Sequence, residues 1–387
     1  MNINMEFFVR DPIENLITCL NFKMDKVIYF GHSDLMTAER QKITETVLKE
    51  RCGVKQVEFH VLSQRNLYSV LERLTEVLQR EKEHNCFFDL TGGEELIAVA
   101  VGMLAREYQF PMHLYDVESG RLHMLNKREA PAIEDMVEQR KIQLTLDDII
   151  GFRGGKITYK HQKLSKSNLD DVKFRADVET MWEIAKDVPA KWNALSAVLK
   201  DCTKYERDTL FVCADMDDVK RVVQKHHDLA SVQEFTHYMQ MLKDRGLLDE
   251  LQVTSDLVQY RYRSETMREC LLDAGCLLEL RTYYNRRDSG VYSDCRVGVH
   301  IDWDGIFQGD GQDVENEIDV MLLDGNVPVF ISCKNGKVDQ MALYELHTVA
   351  MRFGGKYVKK ELVAARGISE GYLRRAQELS IKVSSKI

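Results

Sequence analysis

The chain has 387 residues, 44% of them hydrophobic and 30% charged, and a net charge of −9. That length exceeds one ordinary hydrophobic core, so two or three domains are expected, and the composition excludes disordered and fibrous classes. No stretch approaches the roughly 18 apolar residues of a membrane span, and residues 1–8 lack the basic start and apolar run of a secretory leader, which points to the cytoplasm. The nine cysteines are scattered without CxxC pairing, which argues against a disulfide framework or a zinc knuckle. His226 and His227 have no second ligand pair and read as part of a polar helix.

Residues 1–125 alternate strand and helix signals, the pattern of an open, mostly parallel sheet. Residues 4–9 read as a strand, and Asp11-Pro12 then reads as a cap and first position of a helix. Residues 27–30 form an apolar strand ending in Gly31-His32-Ser33-Asp34, with a helix over 36–51. A strand over 57–62 and a helix over 67–80 follow, then a strand over 86–90 that ends in Thr91-Gly92-Gly93 and a helix over 94–108. Residues 112–117 and 122–125 read as a terminal hairpin.

From 126 to 267 the pattern turns mostly helical. Residues 239–262 read as helix, glycine turn and two short strands, a winged-helix-like hairpin without a basic recognition helix before it. A helix is expected from 267 to about 280, then strands over 291–303, 317–323 and 327–333, with Gly325-Asn326 as the turn between the last two. A helix over 340–353, a strand over 357–364 and a helix over 370–379 complete a second mixed α/β core.

The chemistry gathers in that second core. Strand side chains alternate, so Glu317 and Asp319 share a face, as do Ser332 and Lys334 on the adjoining strand. Cleaving a phosphodiester requires a divalent cation to activate water and neutralise developing charge, and Mg²⁺ or Mn²⁺ takes carboxylate and carbonyl oxygens. Lys334 is suited to orient or deprotonate the water, or to hold phosphate. The spacing alone favours the plainer reading, a cross-strand salt bridge on an exposed sheet face worth about 0.2–1 kcal/mol.

The flanking sequence resembles the PD-(D/E)XK restriction-endonuclease superfamily. A helix bears a glutamate in AGCLLEL (Glu279), a strand bears an aspartate in NEIDV (Asp319), and the next strand ends in ISCK (Lys334). The resemblance implies a metal-dependent endonuclease in which Glu279, Asp319 and the backbone carbonyl of Cys333 hold Mn²⁺ or Mg²⁺ and Lys334 serves the nucleophile. It also departs from the family, because Ser332 stands where an acid is usual. Glu317 is the first candidate to compensate and Glu345 the second, with Cys333 turned into the core.

In the N-terminal sheet three loops follow strands with residues suited to a polar ligand: Arg10-Asp11, Gly31-His32-Ser33-Asp34 and Thr91-Gly92-Gly93-Glu94. The last feeds a helix whose free N–H groups favour phosphate. Neither GxGxxG nor a Walker lysine is present, so a redox dinucleotide or nucleoside triphosphate is not expected. The segment FFDLTGGEE, following EFFVRDPIENL and VIYFGHSD, resembles a CRISPR-associated Rossmann-fold (CARF) domain. With the nuclease pattern, the chain resembles the CARF nucleases of type III CRISPR systems. That resemblance implies residues 1–140 as a Rossmann-like ring-nucleotide sensor, 141–262 as a helical, winged-helix-like connector and 263–387 as a restriction-endonuclease-like α/β core. It further implies a homodimer activated by a cyclic oligoadenylate, usually the four-membered ring in that family, that cuts RNA or DNA in antiviral defence. Asp11, Gly31, His32, Ser33, Thr91, Gly92, Gly93 and Glu94 are the candidate ring contacts.

Between 352 and 386 nine Lys or Arg face three Glu, a basic end on an acidic protein that suits a phosphate backbone or simply a solvated helix face. The rival reading from another class is a ligand-regulated DNA-binding regulator with an inactive nuclease core, favoured by Ser332 and the wing.

Overall fold

A computed structural model describes residues 1–62, 66–126, 130–158, 164–203, 210–305 and 315–385. The chain packs as two units, and the first takes in residues 1–154 together with the short segments Leu323–Pro328 and Phe353–Tyr357.

The first unit runs β1 (Asn2–Phe7), α1 (Ile17–Asn21), β2 (Lys26–Gly31), α2 (Ala38–Glu50), β3 (Gln56–Val61), α3 (Leu67–Arg80), β4 (Asn85–Asp89), α4 (Glu95–Tyr108), β5 (Met112–Asp116), β6 (Arg121–Met124), α5 (Ile133–Met136) and α6 (Leu146–Gly151). Its sheet has the order β3-β2-β1-β4-β5-β6. The pairings from β3 to β5 are parallel and β6 closes the edge antiparallel. The order reverses between β1 and β4, the switch point at which open α/β sheets take ligands. Helix α3 forms as its pattern predicts: Val70, Leu74, Val77 and Leu78 are buried on one face, and Asn66 caps Ser69 N–H at 3.0 Å.

One expectation fails here. Asp11-Pro12 does not start a helix; the Asp11 carboxylate accepts Ile13 N–H at 3.1 Å in a turn, and the first helix begins at Ile17. Asp11 is drawn off by longer-range partners, described below.

The second unit comprises β7 (Lys156–Thr158), α7 (Lys166–Asp170), α8 (Val172–Ala185), α9 (Pro189–Thr203), β8 (Phe211–Asp215), α10 (Met216–Lys225), α11 (Val232–Asp244), β9 (Leu248–Val253), β10 (Leu257–Tyr262), α12 (Glu265–Leu272), α13 (Cys276–Asp288), β11 (Asp294–Asp302), β12 (Glu315–Asp324), β13 (Val327–Lys334), α14 (Gln340–Gly354), β14 (Lys359–Ala364), α15 (Glu370–Glu378) and β15 (Ile381–Ser384). Its main sheet is ordered β15-β14-β13-β12-β11-β7. The expected hairpin is present as β9 and β10, and β8 adds a third strand in the order β8-β10-β9. Gly246 at φ +72° makes the turn out of α11, a conformation only glycine adopts without strain.

The single helix expected from 267 to about 280 is two. Asp273 Oδ1 accepts Gly275 N–H at 3.0 Å, and the chain restarts at Cys276. The apolar periodicity continues across the break, which hid it. Val178, Met181, Trp192 and Leu195 of the middle helices share one continuous core with Leu277, Leu278, Tyr284, Ile331 and Cys333.

Candidate functional sites

Neighbouring strands β12 and β13 meet through a turn with Gly325 at φ +61°. This brings the predicted aspartate against the predicted lysine strand. Asp319 Oδ2 accepts Cys333 N–H at 2.5 Å and the Ser332 hydroxyl at 3.2 Å. Burial raises the Asp319 carboxyl above the ordinary range, and Glu317 adds to this; the Cys333 N–H, Lys334 and Ser332 pull the other way without prevailing. The carboxylate is therefore held in a place where its charge is only partly compensated by the chain.

Ser332, standing where the family pattern has an acid, donates to Asp319 and so supports that carboxylate. Cys333 is buried, and its Sγ donates to Thr282 Oγ1 of α13 at 3.6 Å. Burial pushes the Cys333 thiol well up, and the Asp319 and Glu279 carboxylates add to the effect. The thiol is thus protonated and packed, as expected of a residue without a nucleophilic role. Glu279 lies on the first turn of α13 with Oε1 3.1 Å from where a Gly275 Cβ would stand, so the glycine leaves room for the carboxylate to fold over the helix start.

The two compensating acids fare differently. Glu317 is exposed, 3.9 Å from His300 Nε2 of β11, while Glu345 lies on the exposed side of α14. Among the described residues no group of three or more His, Cys, Asp or Glu stands at metal-holding spacing. With serine at 332, the chain offers two acids, Asp319 and Glu279, and oxygen donors of the backbone, a hard set of the kind magnesium and manganese take. Thr282, Asn335 and Asn193, which tie this region together, carry no sequence motif that would have marked them.

In the first unit the loop after β4 rests on a buried polar network. Asp89, at the end of β4, accepts the Thr18 hydroxyl at 2.5 Å and Thr91 N–H at 2.8 Å, and also bonds the Thr91 hydroxyl. Thr18 in turn meets His113 Nε2 at 2.9 Å, and Tyr115 N–H donates to the Thr91 hydroxyl at 2.9 Å. Burial works against the Asp89 charge, yet His113, Thr18 and Thr91 hold its carboxyl below the usual range. This network fixes Thr91 and the glycines after it. A Cβ on Gly92 would stand 2.7 Å from Val9 Cγ1, and Gly93 has φ +132°, so both positions demand glycine for different reasons.

His32 is buried beside this loop, its Nε2 3.4 Å from Glu94 Oε2, its Nδ1 3.2 Å from Leu62 carbonyl, and its ring edge-on to Phe7. Ser33 is exposed, and Gly31 packs tightly against Phe8 and Met36. Asp11 stands apart from these. It is buried, its Oδ1 accepts Arg153 Nη2 at 2.8 Å, and its Oδ2 accepts Lys356 N–H at 2.9 Å. Glu14 beside it accepts Lys356 Nζ at 3.0 Å and the Tyr357 hydroxyl at 2.5 Å.

The basic C-terminal run is not one open patch. Lys360 is buried and donates to Leu379 carbonyl at 2.6 Å, Lys356 is paired with Glu14, and Arg374 with Glu370 at 2.5 Å. Arg375 pairs with Glu378 and Arg366 with Asp228. Lys386 lies outside the described residues. No helix among the described residues is long and apolar enough to cross a membrane.

An open, mostly parallel α/β sheet in one unit and a mixed sheet carrying an acid–lysine hairpin in the other define a two-part α/β class. Residues 265–386 match the model of the Card1-like endonuclease domain. Over 99% of its length the chain follows the crystal structure of VC1899 from Vibrio cholerae, covering 94% of that chain at 17% identity with a TM-score of 0.73. It likewise follows Can2 from Sulfobacillus thermosulfidooxidans, solved with cyclic tetra-adenylate, over 99% of this chain and 93% of that one at 17% identity and TM-score 0.65. At such identity the likeness is one of fold. No curated protein matches the chain in sequence.

Proposed function

We propose that the chain is a metal-dependent endonuclease switched on by a cyclic oligoadenylate, the four-membered ring in the first instance, acting on RNA or DNA in type III CRISPR defence. One observation carries the reading: a single chain joins a Card1-like endonuclease domain to a switch-point sheet, and follows over nearly its full length the fold of a protein solved with cyclic tetra-adenylate.

In this reading Thr91, Gly92, Gly93, Glu94, Gly31, His32 and Ser33 line the ring site. The start of α4 offers its free N–H groups to phosphate, and the His32 ring, buried beside the loop, would meet an adenine or a phosphate. Asp11 orders the neighbouring loop through Arg153 and Lys356 N–H. The outer side of α4 leaves Val99 and Met103 more than half exposed, apolar surface that suits pairing of two copies across a two-fold axis, where a symmetric ring meets the same loops twice. Ring binding then acts by favouring one arrangement of the dimer, to the extent that it prefers it.

At the cutting site Asp319 and Glu279 would hold Mn²⁺ or Mg²⁺, and the ion when bound supplies activation of water and charge neutralisation. Lys334 holds a phosphate oxygen or takes the proton of the attacking water. Ser332 and Cys333 N–H keep the Asp319 carboxylate oriented.

The test is to incubate the protein with Mn²⁺ and labelled RNA, single-stranded DNA and duplex DNA, with and without cyclic tetra-adenylate. Ring-dependent cutting is expected. Cutting at full rate without any ring would reduce the first unit to a dimerisation domain. Sequence-specific duplex binding without cutting would favour the regulator, for which Ser332 and the β8-β10-β9 wing speak.

A further inference from the structure

The middle helices are unexplained by sensing or cutting, yet one of them reaches the cutting site. Asn335 directly follows Lys334. Its Nδ2 donates both hydrogens, to Asn193 Oδ1 of α9 at 2.5 Å and to the Ala274 carbonyl at 2.9 Å, and Asn193 Nδ2 donates back to the Asn335 carbonyl at 3.2 Å. Ala274 precedes Gly275, the residue over which Glu279 folds. Three bonds therefore join α9, the end of the lysine strand and the start of the glutamate helix. On the other side Ala365 N–H donates to the Lys334 carbonyl at 3.0 Å, so the lysine backbone is held from both directions.

The seat of α9 is itself fixed. Trp192, next to Asn193, is buried in the core that also holds Leu277 and Leu278 of α13. Asn193 and Asn335 are only partly buried, so an apolar pair would not be forced there by packing. Two reciprocating amides between α9 and the strand end fix spacing, which is what a metal site made of groups from separate elements requires.

We propose that Asn193 is a positioning residue for the cutting site: through Asn335 it sets the separation between the strand end carrying Lys334 and the helix start carrying Glu279. The inference rests on the reading of that centre as a metal-dependent cutting site.

Two variants of nearly equal size separate positioning from mere packing. Asn193→Asp keeps the acceptor for Asn335 Nδ2, while Asn193→Leu removes both polar functions. With the full-length protein, saturating cyclic tetra-adenylate and Mn²⁺, Asn193→Leu is expected to lower kcat and weaken Mn²⁺ about tenfold or more, as loss of a metal site's outer support does. KM for nucleic acid and the ring concentration for half-activation stay as in the parent. Asn193→Asp should restore kcat to within about threefold of the parent, a difference read directly as transition-state stabilisation. Mn²⁺ binding is also measured without substrate, by the loss of the free Mn²⁺ paramagnetic signal. Parental kcat and Mn²⁺ affinity in Asn193→Leu overturn the proposal. So does equal loss in both variants alongside a lowered melting temperature, which marks packing alone. A parent protein that binds Mn²⁺ but cuts nothing refutes the nuclease reading, and the Mn²⁺ titration of the variants still decides the clamp; a parent that binds no Mn²⁺ overturns both.

Discussion

Two aspartates, one in each unit, are treated in opposite ways. Asp89 is wholly enclosed, yet Thr18, Thr91 and His113 hold it charged below the ordinary carboxylate range. Asp319 is half-buried, and one N–H, one hydroxyl and a nearby lysine leave its carboxyl raised above that range. An acid whose partners are complete within the chain is a structural brace; here it fixes the Thr91–Gly92 loop. In the proposed reading, an acid left with its charge only partly compensated beside a lysine is the one that would take a cation.

The contrast can be broken or sharpened by experiment. The largest effect is expected at the cutting site. Lys334→Ala or Asp319→Ala should lower ring-activated cutting by about a thousandfold, within the range general acid–base and metal support supply, with ring affinity by calorimetry unchanged. Normal cutting by either variant would remove the site from β12 and β13. Next is the brace: Thr18→Val leaves Asp89 and His113 short of a buried partner, and the first unit should lose about 2–3 kcal/mol in denaturant unfolding. A loss below about 0.5 kcal/mol would mean Asp89 is satisfied some other way.

Smaller still is the loop itself. Gly92→Ala places a methyl against Val9, and the ring concentration for half-activation should rise about tenfold, equivalent to about 1.4 kcal/mol. Val9→Ala in the same chain should recover most of it, since the two groups touch. Unchanged activation in the single variant would place the ring elsewhere.

The smallest effect is in pH, and its sign differs between the two acids. Asp89 has a depressed carboxyl, so its contribution to stability is present above the ordinary aspartate pKa and is lost as pH falls through its folded value. Asp319 has a raised carboxyl, so its ionised form costs stability that is recovered as pH falls through the raised value, and protons compete there with a cation. The Mn²⁺ concentration for half-maximal cutting should therefore climb as pH is lowered, beginning above the ordinary aspartate range of about 3.9. A pH-independent Mn²⁺ requirement down to that range would show that Asp319 does not bind the ion.

Much of the architecture was legible from neighbours in the chain. Leu67–Arg80 formed a helix over the residues expected, and the NEIDV and ISCK segments formed adjoining strands through the Gly325 turn. The misreadings have a common cause. Asp11 looks like a helix cap until Arg153 and Lys356 N–H claim it, and the break between α12 and α13 interrupts an apolar period that reads as continuous.

Local periodicity, turn chemistry and the identities Glu279, Asp319 and Lys334 are properties of short stretches, so the sequence by itself determined most of the elements and which residues are candidates for chemistry. Strand order, the completed shell around Asp89, the open one around Asp319 and the Asn193–Asn335 bond depend on groups brought together from far apart, the last pair from 142 positions away. Only tertiary packing decided those, because a hydrogen bond across such a distance is set by how the elements dock and leaves no mark on the residues beside it.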